Sequence, residues 1–376
     1  MEETEFFHEV DPDGDVELIL RAPYAPFAKW DEHHESLVTR PFTEKKRKYS
    51  VLLGEESSLF DSVDPGVINY QPPPQSRSVE PTNNATPAQT CQQEAVTEQQ
   101  AKPIIAYRYR LSSKHLTTAS KYFKNSLKDC KMVNGILTTH ATGWDPDALL
   151  ILMNIIHGRH RTVPRRIELE RLAKIAVLVD YYGCHEVVDI FMSVWNACFK
   201  GKFPVEYNQK LVLWMAISWI SSRANIFKMM TRNAIKCSKN TIQTMNLPIP
   251  EHIIVIINLR REDLLKRINT HLHDLTIYLT DSRPRCSFEC ASMLLGALTK
   301  QIEANGFLKS LSTGSLHGHS ISDILTSMRK ITTPNLVITS SGNSSGPTHA
   351  CKLETFINAV IKNIEGEIEG LELDVV

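Results

Sequence analysis

The chain has no surplus of charge of either sign. Its 42 basic and 42 acidic residues give a formal net charge of zero. That removes the bulk field that draws a protein to nucleic acid or to an anionic membrane. Long apolar runs are missing as well. The most apolar stretches, Leu149–Ile156 and Ala173–Val179, fall far short of the roughly 20 residues that a membrane-spanning helix needs. The first residues, MEETEFFHEVDPDGD, are acidic and lack the basic and apolar regions of a secretory leader. With neither signal, an intracellular protein of the cytoplasm or nucleus is expected. Its eight scattered cysteines then read as free thiols or metal ligands rather than disulfides.

Catalytic signatures are equally sparse. No Gly-x-x-x-x-Gly-Lys-Ser/Thr phosphate loop occurs. Gly342-Asn-Ser-Ser-Gly346 has the letters of a nucleophile elbow, but Pro347 follows where the elbow requires a helix. Cys184 and His185 are neighbours in sequence, which does not supply the geometry of a Cys/His pair. A non-enzymatic protein is expected.

What is present is dense regular structure around a long polar interruption. Asp15–Leu20 alternates as a strand, with Val16, Leu18 and Leu20 on one face and turn-forming Asp11-Pro-Asp-Gly14 before it. Tyr107–Leu111 is a second strand, with Tyr107, Tyr109 and Leu111 on one face and Arg108 and Arg110 on the other. Ser112 and Ser113 offer cap oxygens to a single helix carrying Leu116, Ala119, Tyr122, Phe123 and Leu127. Between the strands, QPPPQSRSVEPTNNATPAQTCQQEAVTEQQ holds too little apolar surface to offset chain entropy and reads as disordered. Ahead of it lie scattered aromatics (Tyr24, Phe27, Trp30) and the basic cluster Lys45–Lys48, a solvated charge run or a nuclear import signal.

Downstream, Gly135–Thr139 reads as a strand. Asp145 caps a helix with Pro146 at its first position, running to about His157. Further helices follow at Leu169–Tyr182, stopped by Gly183, and at His185–Phe199, Tyr207–Trp219, Ala224–Ile235, Glu251–Thr280 (with a break allowed for), Phe288–Glu303 and Ile321–Lys330. An amphipathic segment ends the chain. Arg159–Arg166 holds four arginines and a histidine without interleaved aromatics, so it reads as a polar connection rather than a nucleic-acid surface.

This succession resembles a BTB/POZ domain, and in particular the BTB-containing proteins of filamentous fungi. The resemblance rests on a strand opening on Asp15-Val-x-Leu, a strand ending in Tyr-Arg110, the SSKHLTTASKYF segment, an apolar helix opening on Asp145-x-Asp-Ala, and a helix running into Asp180-Tyr-Tyr-Gly-Cys184. It covers about Asp15–Arg21 and Tyr107–Phe199. Two departures stand out: the first two strands are separated by a long insertion, and neither zinc fingers nor kelch repeats follow.

The fold class expected from the resemblance is an α+β BTB/POZ domain, a small sheet flanked by helices (1–21 and 104–200). A largely disordered insertion (22–103) interrupts it, and a mostly α-helical C-terminal domain (201–376) with a flexible loop at about 305–348 follows. The implied function is a non-enzymatic interaction module: a homodimer recruiting partners, as a cullin ubiquitin-ligase substrate adaptor or, alternatively, as a nuclear regulator binding transcriptional corepressors. In the family's dimeric branch a charged pocket pairs an Asp opening the first strand with an Arg ending the second. The matching residues are Asp15 and Arg110, a solvated surface pair being the plainer reading.

One constellation has metal-ligand spacing. Cys286 and Cys290 share a face at a helix start, and His349 and Cys351 share a face if extended. Together they compose a closed structural zinc set, against the plainer reading of buried thiols packing as apolar groups. His33-His34, His271-Leu-His273 and His317-Gly-His319 lack partner ligands at useful spacing.

Overall fold

A computed structural model describes residues 3–32, 104–130, 132–281, 287–306, 308–309, 318–334 and 351–373. The fold is mixed α+β and mostly helical, with one five-stranded sheet. The described residues divide into two compact units. One takes 3–25, 104–164 and 178–188, and the other 26–32, 165–177 and 189–373. Their limits do not coincide with a division at residue 200.

The first unit contains the sheet. Its strands are β1 (Glu3–Glu9), β2 (Val16–Arg21), β3 (Ile104–Leu111), β4 (Met132–Val133) and β5 (Ile136–Thr142), in spatial order β1-β3-β2-β5-β4. β2 and β3 are antiparallel with Val16 opposite Leu111, and β5 runs parallel to β2. β1 is absent from the sequence reading. It lies parallel to β3, with Phe6 beside Tyr107 and His8 beside Tyr109. The register places Val16, Leu18, Leu20, Tyr109 and Leu111 on one face, and all five are buried. The Tyr109 hydroxyl donates to the Pro146 carbonyl at 3.1 Å, which supplies the partner a buried phenol requires.

The single helix expected after β3 is two helices, α1 (Ser113–Ala119) and α2 (Lys121–Ser126), broken at Ser120. Ser120 is extended (φ −144°, ψ 122°) and buried. Its hydroxyl accepts the Phe123 amide at 3.2 Å and donates to the Tyr182 carbonyl. A buried hydroxyl with two partners outweighs one unbroken helical turn. Because the break is one residue long, the apolar spacing runs on across it.

Next comes α3 (Pro146–Ile156), capped by the Asp145 carboxylate, which accepts the Ala148 amide at 3.0 Å. α4 (Leu169–Tyr182) follows. Gly183 ends it with φ +60°, and the Cys184 amide donates back to the Val179 carbonyl at 3.1 Å. That left-handed stop is the one glycine provides. Phe123 stacks on Tyr182 with ring centroids 4.7 Å apart. α5 (His185–Ala197) completes this region of the chain.

The second unit is helical: it takes the larger parts of α4 and α5 together with α6 (Gln209–Ile220), α7 (Ala224–Cys237), α8 (Glu251–Thr280), α9 (Phe288–Ala304), α10 (Ile321–Met328) and α11 (Leu353–Glu367). α8 is continuous over its 30 residues. α6 is buried almost all round, as an apolar helix without a polar face must be. Residues 26–32, placed by sequence in the insertion, are docked instead. Gln209 donates to the Ala28 carbonyl at 3.0 Å, and Trp30 lies 5.5 Å from the Tyr207 ring. Arg261, 2% exposed, donates to the carbonyls of Lys239 (2.7 Å) and His319 (3.4 Å), joining two connections to α8. No helix among the described residues is long and apolar enough to cross a membrane.

The basic cluster Lys45–Lys48, the elbow-like Gly342–Gly346, His33, His34 and His317, and the whole of 33–103 lie outside the described residues.

Candidate functional site

The residues singled out by the resemblance meet where β2, β3 and α1 converge. Asp15 immediately precedes β2. Its carboxylate accepts the Ser113 amide at 2.7 Å and the Ser113 hydroxyl at 2.6 Å. The expected serine caps are therefore replaced: Ser112, at the cap position, makes no side-chain cap bond, and α1 is capped by a carboxylate brought from another strand. An anion there meets unpaired amides and the positive end of the helix. Burial alone would push the Asp15 carboxyl up, but the two Ser113 hydrogen bonds outweigh it and hold it below the usual carboxylate value.

Among the described residues no ion pair joins Asp15 to Arg110 within the chain. The register explains this, because Arg110 lies opposite Glu17, two residues beyond Asp15. Glu17 in turn is taken by Arg108, whose Nη1 donates to both of its carboxylate oxygens at 3.2 Å while Nη2 donates to Glu5 at 2.8 Å. Arg108 thus bridges the two strands flanking its own, and those bonds, Glu5 first, raise its pKa. Among the described residues the buried Arg110 Nε has no hydrogen-bond partner. Its backbone carbonyl accepts the amides of Val10 (3.2 Å) and Asp11 (3.0 Å), which fixes the turn after β1. Arg159 secures the same turn, donating to the carbonyls of Glu9 (2.8 Å) and Val10 (2.7 Å). Its role within the arginine-rich connection is structural.

Both outer strands of the sheet expose large apolar side chains. Phe6 and Phe7 on β1 are 45% and 59% exposed, and Met132 and Val133 on β4 are 62% and 63% exposed. Paired apolar residues at open sheet edges are the usual raw material of assembly.

Of the metal set, Cys290 is buried at the start of α9, its amide donating to the Ser287 hydroxyl at 3.2 Å, and Cys351 is half-buried ahead of α11. Cys286 and His349 lie outside the described residues. The three-ligand cluster found among the described residues lies elsewhere, at Asp11, His115 and His157. No spacing rule joins residues so far apart in sequence; only the sheet topology brings them together.

No family model matches the chain, no curated protein matches it, and no solved structure matches it.

The Asp15 cap yields a direct expectation. Asp15→Ala should cost about 1–2 kcal/mol, the range for losing a helix cap, and Asp15→Asn less. Because the folded carboxyl titrates below its unfolded value, its contribution is present above the unfolded value of 3.8 and is lost as pH falls through the folded one. Chemical unfolding at pH 7 and at pH 3 checks this. An Asp15→Ala deficit of equal size at both pH values would count against the carboxylate cap.

Proposed function

We propose that the chain is a non-enzymatic interaction module of the BTB/POZ type that self-associates through its sheet and recruits further partners. The observation that carries the reading is the pair of outer strands, which expose Phe6 and Phe7 on β1 and Met132 and Val133 on β4, with Arg110, the residue the resemblance places at the dimer pocket, on the strand beside β1. The order of elements supports the reading too. The strand from Asp15, the strand through Arg110, the two short helices, the strand after Gly135 and the helix from Pro146 all fall in one compact unit, as the resemblance leads one to expect. Recruitment of a cullin ubiquitin ligase is the preferred role for such a module.

Sedimentation velocity over a range of micromolar concentrations tests the first half. The wild-type chain should show a concentration-dependent dimer, and Arg110→Ala should weaken it about tenfold, the equivalent of about 1.4 kcal/mol. A strict monomer, or a dimer untouched by the substitution, would remove Arg110 from the interface. Affinity purification then separates the recruitment roles, a cullin subunit supporting the adaptor and a corepressor replacing it.

A further inference from the structure

Three residues from three separate elements of the first unit come together on its surface. Asp11 stands in the turn between β1 and β2, His115 in the first turn of α1, and His157 at the C-terminal end of α3. One ligand atom from each lies within 4.8 Å of the other two. The Asp11 Oδ2 and His115 Nδ1 are 3.9 Å apart, and the two imidazole rings are 5.1 Å apart.

The surroundings hold two of these groups in orientations suited to ligation. The other carboxylate oxygen of Asp11, Oδ1, accepts the Asp13 amide at 3.1 Å, and the Asp11 amide is tied to the Arg110 carbonyl at 3.0 Å. That leaves Oδ2 directed at His115. His157 Nδ1 lies 2.8 Å from the Met153 carbonyl. It must donate there, because a carbonyl cannot, and the lone pair is thereby left on Nε2. A ligating histidine whose second nitrogen donates to a backbone carbonyl is the common outer-shell arrangement of metal sites. The His115 side chain is 52% exposed, so an ion can enter from solvent.

We propose that Asp11, His115 and His157 form a surface site for a divalent transition cation of the zinc class. Two imidazoles and a carboxylate suit zinc, cobalt or nickel better than calcium or magnesium, which prefer all-oxygen shells. An ion seated among three atoms so spaced lies no more than about 2.8 Å from each, against about 2.0–2.2 Å for zinc bound to imidazole nitrogen or carboxylate oxygen. Closure therefore needs shifts below about 1 Å. Three protein ligands leave one position to water.

The ion has one competitor. His157 Nε2 accepts the Ser112 amide at 2.9 Å, so metal and amide share a single lone pair. Ser112 is half-buried, and water can take over its amide when the ion binds. Loading then couples to the start of α1, whose capping falls wholly to Asp15.

Cobalt(II) titration of the full-length chain tests the site, with His115→Ala, at an exposed position, and Asp11→Asn, which keeps the side chain's size at a half-buried one, as the variants. The expected result is visible d–d absorption saturating at one equivalent, without the near-ultraviolet bands of cobalt–thiolate bonds. Affinity should fall at least tenfold in each variant, while metal-free thermal unfolding stays close to that of the wild type. Faster hydrogen exchange at the Ser112 amide on loading would report the shared lone pair. The absence of d–d bands, bands kept by both variants, or thiolate bands alone would each overturn the proposal. The last outcome would place the metal at cysteines instead.

Discussion

Gly14→Ala should unfold the first unit at markedly lower denaturant concentration than the wild type, with a loss of about 2–3 kcal/mol, at the upper end for overpacking a closed site. A Cβ at position 14 would lie 2.4 Å from the Leu111 carbonyl oxygen and 2.9 Å from that of Asp11. All of those atoms are backbone. None can rotate away, so either β3 or the turn must move. The turn is held by the Gly14 amide donating to the Asp11 carbonyl at 3.0 Å, and the same turn presents Asp11 to the two histidines and leads into Asp15. The substitution should therefore weaken the sheet, the α1 cap and cobalt binding together. Asp13→Ala, one residue away and exposed, is the control and should cost far less. Equal stability of Gly14→Ala and wild type in urea would mean that β3 accommodates the methyl group.

The second large effect belongs to the helical unit. Trp214→Ala should cost about 3–5 kcal/mol, the range for removing a fully buried aromatic from a core. Trp214 is 1% exposed on α6. The rings of Phe199 and Phe203 lie 5.1 and 4.9 Å away in edge-on contact, a preferred geometry for aromatic pairs. Its neighbours Leu213 and Met215 are also buried, so the helix has no exposed face along which to slide and close the gap. Trp214→Phe should recover much of the loss. Unfolding followed by circular dichroism would decide it, and a deficit below about 1 kcal/mol would mean that the phenylalanines collapse into the space.

The success of the sequence reading follows element type. Helices that bury one broad stripe show it in their spacing: Leu169–Tyr182 is recovered residue for residue, and the Asp145–Pro146 start because cap and first-position chemistry are local. β1 was missed because ETEFFHE lies at the edge of the sheet, where both faces tolerate charge and exposed phenylalanine. The break at Ser120 was missed because its cause, the Tyr182 carbonyl, arrives from 62 residues away. The site was legible at its ends and not in its connections. Asp15 and Arg110 stand out in the sequence, but nothing in it shows that Ser113 takes the first and that Arg108 claims the glutamate facing the second. Strand register decides both, and register is a property of the pairing rather than of either strand. The Asp11–His115–His157 cluster has no sequence signature at all.

The placement of β3 between β1 and β2 bears on the timing of synthesis. Both flanking strands are made within the first 21 residues, yet they bond to β3 and not to each other. Between Arg21 and Ile104 lie 104 − 21 − 1 = 82 residues. At about 5–20 residues per second, a ribosome needs roughly 4–16 s to cross that distance. For that interval β1 and β2, bearing Phe6, Phe7, Val16, Leu18 and Leu20, wait with their ladders unfilled. Closing the loop adds little to the final free energy, since its entropic cost grows only slowly with length. The burden is kinetic: the N-terminal strands need protection until their common partner emerges.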